Sequence, residues 1–252
     1  MIHAKNDARD QLLPPEELRR RVGAGDFQAI GARFLGFFRD LAGLQPSDRV
    51  LDIGCGCGRI ALPLTEYLGQ KGAYEGFDIV PEAISWCRDH ISTRYPNFQF
   101  RVADIFNGSY NPEGRLLAEE YVFPYEDEAF DFAILTSVFT HMLPESMDHY
   151  LKQLSRVLKG SGRCLLTMFL VNEESSGLME AGSSTLDFEN NAGVYRTHIV
   201  QTPEAAVAYE EEFVARLLDT RGFDLVSTHY GAWPGRASFL AYQDLLIARR
   251  RT

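Results

Sequence analysis

Cysteine is scarce in this chain. Only Cys55, Cys57, Cys87 and Cys164 occur among 252 residues, too few for the disulfide framework of a small secreted domain. Cys55 and Cys57 stand two apart on a glycine-rich turn, a poor spacing for a zinc knuckle, so no metal is expected. Long apolar runs are also missing. Cys164–Val171 is too short to span a bilayer, and Met1 to Pro15 lacks the apolar core of a secretory signal. The expectation is a cytoplasmic protein with no membrane association. Positive charge is the third shortage: 25 Lys and Arg stand against 35 Asp and Glu, for a formal charge of -10. That balance disfavours attraction to nucleic acid or to an anionic membrane. Arg19-Arg20-Arg21 is the one basic cluster before the carboxyl tail. It reads as a solvated helix face, or as a contact to substrate or partner.

What is present suits an ordinary globular chain, at 45% hydrophobic residues. Residues 1–48 read as a helical leader that packs on a core domain of residues 49–252. A helix is expected from Pro14-Pro15 through Arg21, and another over Phe27–Leu44, where aromatic residues recur at helical spacing. Strands are expected at Val50–Ile53, Tyr74–Phe77, Phe98–Val102, Phe130–Leu135 and Cys164–Val171. Helices fall between them at Arg59–Leu68, Pro81–Tyr95 and Pro144–Leu158, the last ended by a Lys159-Gly160-Ser161-Gly162 turn. Alternation of this kind predicts right-handed crossovers and a parallel sheet covered on both faces. A late helix, Glu210–Asp219, precedes strands Phe223–Thr228 and Phe239–Ala248. Their connection is too short for a crossover, so they pair antiparallel. The fold class is therefore α/β, a Rossmann-like three-layer sandwich. Its mainly parallel seven-stranded sheet ends in an antiparallel strand. Insertions near residues 106–125 and 172–203 read as functional lids or accessory structure.

The chemistry concentrates where the first strand ends. Leu51-Asp52-Ile53-Gly54-Cys55-Gly56-Cys57-Gly58 joins a buried-strand pattern to three alternating glycines. Such a turn lets backbone approach a ligand closely and adopt positive φ. The third glycine falls one position early for the dinucleotide fingerprint, where Arg59 stands instead. Asp52 at the strand end would repel a pyrophosphate but tolerate a cationic amine and sulfonium. Asp78 can accept two ribose hydroxyls, and Asp104 an adenine amine, with Ile105 against the ring. Asp104 alone could also be a turn cap.

These residues make the chain resemble the class I S-adenosylmethionine-dependent methyltransferases. Val50–Gly58 is similar to that family's first motif, Gly76-Phe77-Asp78-Ile79 to its second and Ala103-Asp104-Ile105 to its third. The likeness extends from about Val50 to Leu170. It implies S-adenosyl-L-methionine as cofactor and S-adenosyl-L-homocysteine as product. It further implies that Asp52, Gly54 and Gly56 surround the methionine moiety, Asp78 binds ribose, and Ile79 packs on adenine. Asp104 would contact the adenine amine, and Thr136 or Ser137 would face the cofactor. Lys159-Gly160-Ser161-Gly162 departs modestly from the Pro-Gly-Gly of many members.

The acceptor is far less legible. His141 follows the fourth strand and reads either as a general base, titrating near neutrality, or as a structural histidine bonded to loop backbone. Tyr110 could orient an acceptor or anchor its loop. Tyr230, Trp233 and Arg236 form a polar-aromatic cluster that could close over the acceptor or pack the late connection. The favoured reading is methyl transfer to a small molecule by a monomer or homodimer, with oxygen as the favoured acceptor atom and nitrogen, sulfur and carbon as the alternatives. The Asn/Asp-Pro-Pro-Tyr/Phe sequence of many nucleic-acid amino methylases is absent after strand four. Protein or nucleic-acid methylation, a non-catalytic cofactor-binding module and a nicotinamide oxidoreductase are the competing readings.

Overall fold

A computed structural model describes residues 12–252. The polar start of the leader, residues 1–11, lies outside them. The chain forms two compact units that meet in sequence at Asp104 and Ile105, and the described part of the leader falls in the first.

In the first unit, α1 (Glu16–Arg21) and α2 (Phe27–Asp40) form the leader. Asp26 caps α2 by accepting from Ala29 N–H at 2.9 Å, and the helix buries Phe27, Gly31 and Phe38. It ends at Asp40, before the expected Leu44, and Gly43 beyond it takes φ 67°. Then follow β1 (Arg49–Ile53), α3 (Ala61–Tyr67), β2 (Ala73–Asp78), α4 (Pro81–Cys87) and β3 (Phe98–Val102). Proline at the first turn of α4 presets its helical φ, and one wider turn, Arg88–Ser92, prolongs it. Both strand pairings are parallel, with Asp52 beside Gly76 and Asp78 beside Val102. Val50, Leu51, Ile53, Tyr74 and Phe77 are buried, as strands covered on two faces require.

The second unit holds β4 (Phe130–Leu135), α5 (Pro144–Val157), β5 (Leu158–Val171), α6 (Glu173–Glu180), β6 (Asn190–Asn191), β7 (Tyr195–Thr197), β8 (Val207–Glu210), α7 (Glu211–Thr220), β9 (Phe223–His229) and β10 (Asp244–Arg250). β4 runs parallel to β5, and β10 lies antiparallel to both β5 and β9. This is the mixed, mainly parallel α/β arrangement that the sequence predicts, with its antiparallel last strand.

Three details differ from expectation. Lys159–Gly162 is no helix-ending turn but the first part of β5, with Ser161 at φ 63° and a register shift opposite Phe130 and Phe132. The second insertion is ordered structure that adds strands to the expected seven. Asn172 caps α6 by accepting from Ser175 N–H, while β8 pairs parallel with the tip of β5 and antiparallel with β7. Finally, β10 starts at Asp244 rather than Phe239, because residues 230–243 fold irregularly around the Asp244 carboxylate. That carboxylate accepts from Gly231 N–H, Leu170 N–H, the Trp233 indole and Arg236.

Candidate functional site

Within the first unit the glycine turn and the end of β2 are tied together. Gly54 and Cys55 donate their N–H groups to Phe77 O. Gly56 N–H donates to Asp78 Oδ2 at 2.7 Å, and Val80 N–H donates to Asp78 Oδ1 at 2.9 Å. Each carboxylate oxygen has a further lone-pair direction, so hydroxyl donors can still be accepted. Burial pushes the Asp78 carboxyl up, while the amides of Val80, Gly56 and Ile79 pull it down. Gly54, Gly56 and Gly58 take φ values of 74°, 53° and 83°, a region side chains avoid. A Cβ on Gly56 would also collide with Val22 Cγ1, just past α1. Cys57 Sγ donates to Leu18 O of the same helix at 3.6 Å.

Asp52 is wholly buried. Its Oδ2 accepts the Tyr74 hydroxyl at 2.6 Å, whereas its Oδ1 has no hydrogen-bond partner among the described residues. Burial raises this carboxyl to about 7, against a lowering by the Tyr74 bond and a further rise from Asp78. Ile79, next to Asp78 in the chain, and Asp104, two residues beyond β3, are half-buried. An orphaned buried carboxylate oxygen and a side-chain-free turn fit a ligand with a cationic centre and a diol. The paired backbone amides of the turn are meanwhile spent on protein acceptors rather than offered to a phosphate.

Within the second unit, Ile105 is buried, and its carbonyl accepts from Asn111 Nδ2. Thr136 and Ser137 are half-buried. Ser137 holds φ 58°, and three bonds fix it there. Its N–H donates to Thr167 Oγ1 at 2.7 Å, its hydroxyl donates to Gln243 Oε1 at 3.0 Å, and Thr167 donates to the same Gln243 oxygen. His141 lies on a short 3-10 turn, Phe139–His141. Its Nδ1 is 3.0 Å from Glu204 O, and Tyr110 meets its ring edge-on at 5.5 Å. A carbonyl only accepts, so Nδ1 carries the proton and the neutral ring keeps its lone pair on Nε2. Burial lowers the His141 pKa, opposed by the backbone carbonyl contacts.

The late aromatic cluster divides. Tyr230 is partly exposed; its hydroxyl donates to Glu211 Oε1 at 2.6 Å, and its ring lies under the Arg236 guanidinium. Trp233 has no exposed surface and packs with Phe169 and Phe188. Arg236 is buried on Asp244 and Glu174. Trp233 and Arg236 thus hold residues 230–243 on Asp244, while Arg236 Nη2 is buried with no hydrogen-bond partner among the described residues. Tyr74, Thr167, Gln243 and Glu204 escaped sequence reasoning, because each acts across the fold on a residue far away in the chain. Among the described residues, no group of three or more His, Cys, Asp or Glu side chains could hold a metal ion, and no helix is long and apolar enough to cross a membrane.

Comparison with known proteins agrees with this geometry. Residues 44–212, more than half of the chain, match the family described as methyltransferase domain. The chain is 29% identical over 129 residues to the tRNA N(3)-cytidine methyltransferase METTL2 of Gallus gallus, covering 51% of this chain and 32% of that protein. It is 32% identical over 104 residues to the aklanonic acid methyltransferase DauC of Streptomyces sp. (strain C5), covering 36% and 46%. The chain thus spans less than half the length of these curated relatives. Magnesium protoporphyrin IX methyltransferase of Synechocystis, solved with bound S-adenosylhomocysteine, superposes with a TM-score of 0.57 at 18% identity, covering 92% of each chain. With the first-strand glycine turn, the carboxylates at strand ends and this match in agreement, the chain belongs to the class I S-adenosylmethionine-dependent methyltransferases.

Proposed function

We propose that the protein methylates an oxygen atom of a small-molecule acceptor, with His141 as the general base. Bound S-adenosylmethionine supplies an electrophilic methyl group on a sulfonium. The chain's own work is to hold the cofactor, align the acceptor and take its proton. Asp52, Gly54 and Gly56 would hold the methionine end, Asp78 the ribose, and Ile79, Asp104 and Ile105 the adenine. Thr136 and Ser137 keep the cofactor-facing role that family resemblance gives them.

The observation that carries the base assignment is the Glu204 carbonyl on His141 Nδ1. It selects the tautomer whose Nε2 can accept a proton, and burial keeps the ring neutral near pH 7. Tyr110 would orient an acceptor hydroxyl, a role that its edge-on contact with that ring supports. The acidic balance and a relative named for aklanonic acid support a small molecule. The tRNA-modifying relative supports the alternative. A metabolite library and total tRNA, each incubated with isotopically labelled S-adenosylmethionine and read by mass spectrometry, separates the two. Label in a small molecule with a new methoxy group supports the proposal; label confined to tRNA overturns it.

A further inference from the structure

Asp52 and Tyr74 form a buried pair with an unfilled side. The Tyr74 ring is fixed by stacking on Phe98 at 5.0 Å and by a tilted contact with Phe100 at 5.4 Å. Gly76, opposite Asp52 in the β1–β2 register, leaves room for this arrangement. A Cβ there would stand 3.0 Å from Tyr74 Cε1 and 2.9 Å from Cys55 Sγ. The phenol therefore reaches Asp52 Oδ2 in one rigid geometry. Oδ1 is equally buried and has no hydrogen-bond partner among the described residues. A buried carboxylate needs donors on both oxygens to stay ionised, so a ligand donor on Oδ1 would favour the ionised form of Asp52.

Resting on the assignment of Asp52 to the methionine end of the cofactor, we infer that Tyr74 is a positioning residue for recognition of the aminoacyl group. Its phenol fixes Oδ2 so that Oδ1 accepts from the ligand ammonium, and this contact expels one proton from Asp52. The change is balanced: carboxylic acid plus ammonium gives a carboxylate–ammonium pair, and the proton passes to the buffer. In the ligand-free protein the carboxyl sits at about 7, raised first by burial. The titratable groups acting on it are Tyr74 and Asp78 of β2, and it in turn raises the thiols of Cys55 in the glycine turn and Cys87 of α4. Asp78 faces the ribose in this reading, so its contribution is common to every adenosyl ligand.

That common part can be subtracted. The full chain is titrated calorimetrically with S-adenosylhomocysteine and with 5′-methylthioadenosine, which keeps ribose and adenine but lacks the aminoacyl group. Buffers of different ionisation enthalpy report protons released. S-adenosylhomocysteine should bind about tenfold more weakly at pH 6 than at pH 8 and release close to one proton at pH 6. The truncated nucleoside should show neither effect. In Tyr74→Phe the midpoint of the S-adenosylhomocysteine profile should move to higher pH, with affinity for the truncated nucleoside unchanged. Identical pH profiles for the two ligands on the wild-type protein overturn the inference, as does an unmoved midpoint in a folded Tyr74→Phe. Failure of both ligands to bind at any pH would instead remove the cofactor assignment beneath it.

Discussion

Gly56 donates its backbone N–H to Asp78 Oδ2 at 2.7 Å, so the acid at the end of β2 anchors the glycine turn before any ligand arrives. Asp78 thus has a structural duty beside the ribose contact proposed for it. Asp78→Ala leaves the amides of Gly56 and Val80 without acceptors and should cost about 2 kcal/mol of unfolding free energy, with S-adenosylhomocysteine affinity falling at least about tenfold. Asp78→Asn restores one acceptor oxygen. Chemical denaturation should show part of the stability regained, while calorimetry shows little recovery of affinity. Full recovery of both would mean that the carboxylate has no ribose to bind.

For His141 the prediction concerns pH. A lowered pKa in the folded protein means the unfolded state binds more protons below neutrality. Its contribution to stability is therefore present above the unfolded value of about 6.5 and is lost as pH falls through the folded one. The same shift keeps the base unprotonated further into acid. Once an acceptor is identified, the acid limb of kcat against pH should fall below pH 6.5, and His141→Gln should abolish that limb together with most of kcat. A His141→Gln enzyme with wild-type kcat and an unaltered limb would return this ring to a purely structural role.

How much of this could be read in the sequence depends on the range over which each feature acts. The Gly54–Gly58 turn and Asp78 were legible because their signals are local: three glycines after a β pattern, and an acid at the next strand end. α4 announced itself by Pro81. Tyr74 gave no such signal, since its significance comes from β1, where the neighbouring strand brings Asp52 within reach of the phenol. β8 carries a weaker signal: Ala206-Val207-Ala208-Tyr209 is a short apolar run, and its partner, the tip of β5, is remote in sequence. Trp233 and Arg236 looked like binding residues for an equally physical reason. An aromatic ring and a cation beside glycine and proline suit a ligand loop, but Asp244, eleven residues after Trp233 and eight after Arg236, draws both inward.

Ser137 offers a test of stored strain. An L-residue at φ 58° costs about 1–2 kcal/mol relative to glycine at that position, and the bonds from Thr167 and Gln243 offset it. Ser137→Ala keeps the Cβ and loses the hydroxyl; Ser137→Gly loses both. The usual order, in which glycine is the less stable, should reverse, with Ser137→Gly about 1 kcal/mol more stable than Ser137→Ala by denaturant midpoint. Equal midpoints would show that the φ value carries no energetic penalty.

Arg236 and Asp244 make a buried ion pair at 3.2 Å, and Asp244 also holds Gly231, Leu170 and Trp233. Removing the acid strands a guanidinium and three N–H donors. Asp244→Ala should therefore lose about 3–5 kcal/mol, close to global unfolding for a marginal domain. Arg236→Met is the gentler probe. It should lower the thermal midpoint while leaving S-adenosylhomocysteine affinity within about twofold. A large loss of ligand affinity in folded Arg236→Met would restore this residue to the binding site.

Asp52 supplies the last prediction, on the protein without ligand. Raising a buried carboxyl from 3.8 to about 7 costs its charged form about 4 kcal/mol. Because the folded value is the higher, the folded state holds more protons between those limits. The group's favourable contribution is present below about pH 4 and disappears as pH rises through 7. Asp52→Asn cannot ionise, yet its amide oxygen can still accept the Tyr74 hydroxyl. The variant and wild type should thus have similar unfolding free energies near pH 4, and the variant should become progressively the more stable toward pH 8. S-adenosylhomocysteine should narrow that gap at pH 8 by stabilising the wild type alone. A difference that stays constant with pH would show that burial of the second Asp52 oxygen has no electrostatic consequence for this fold.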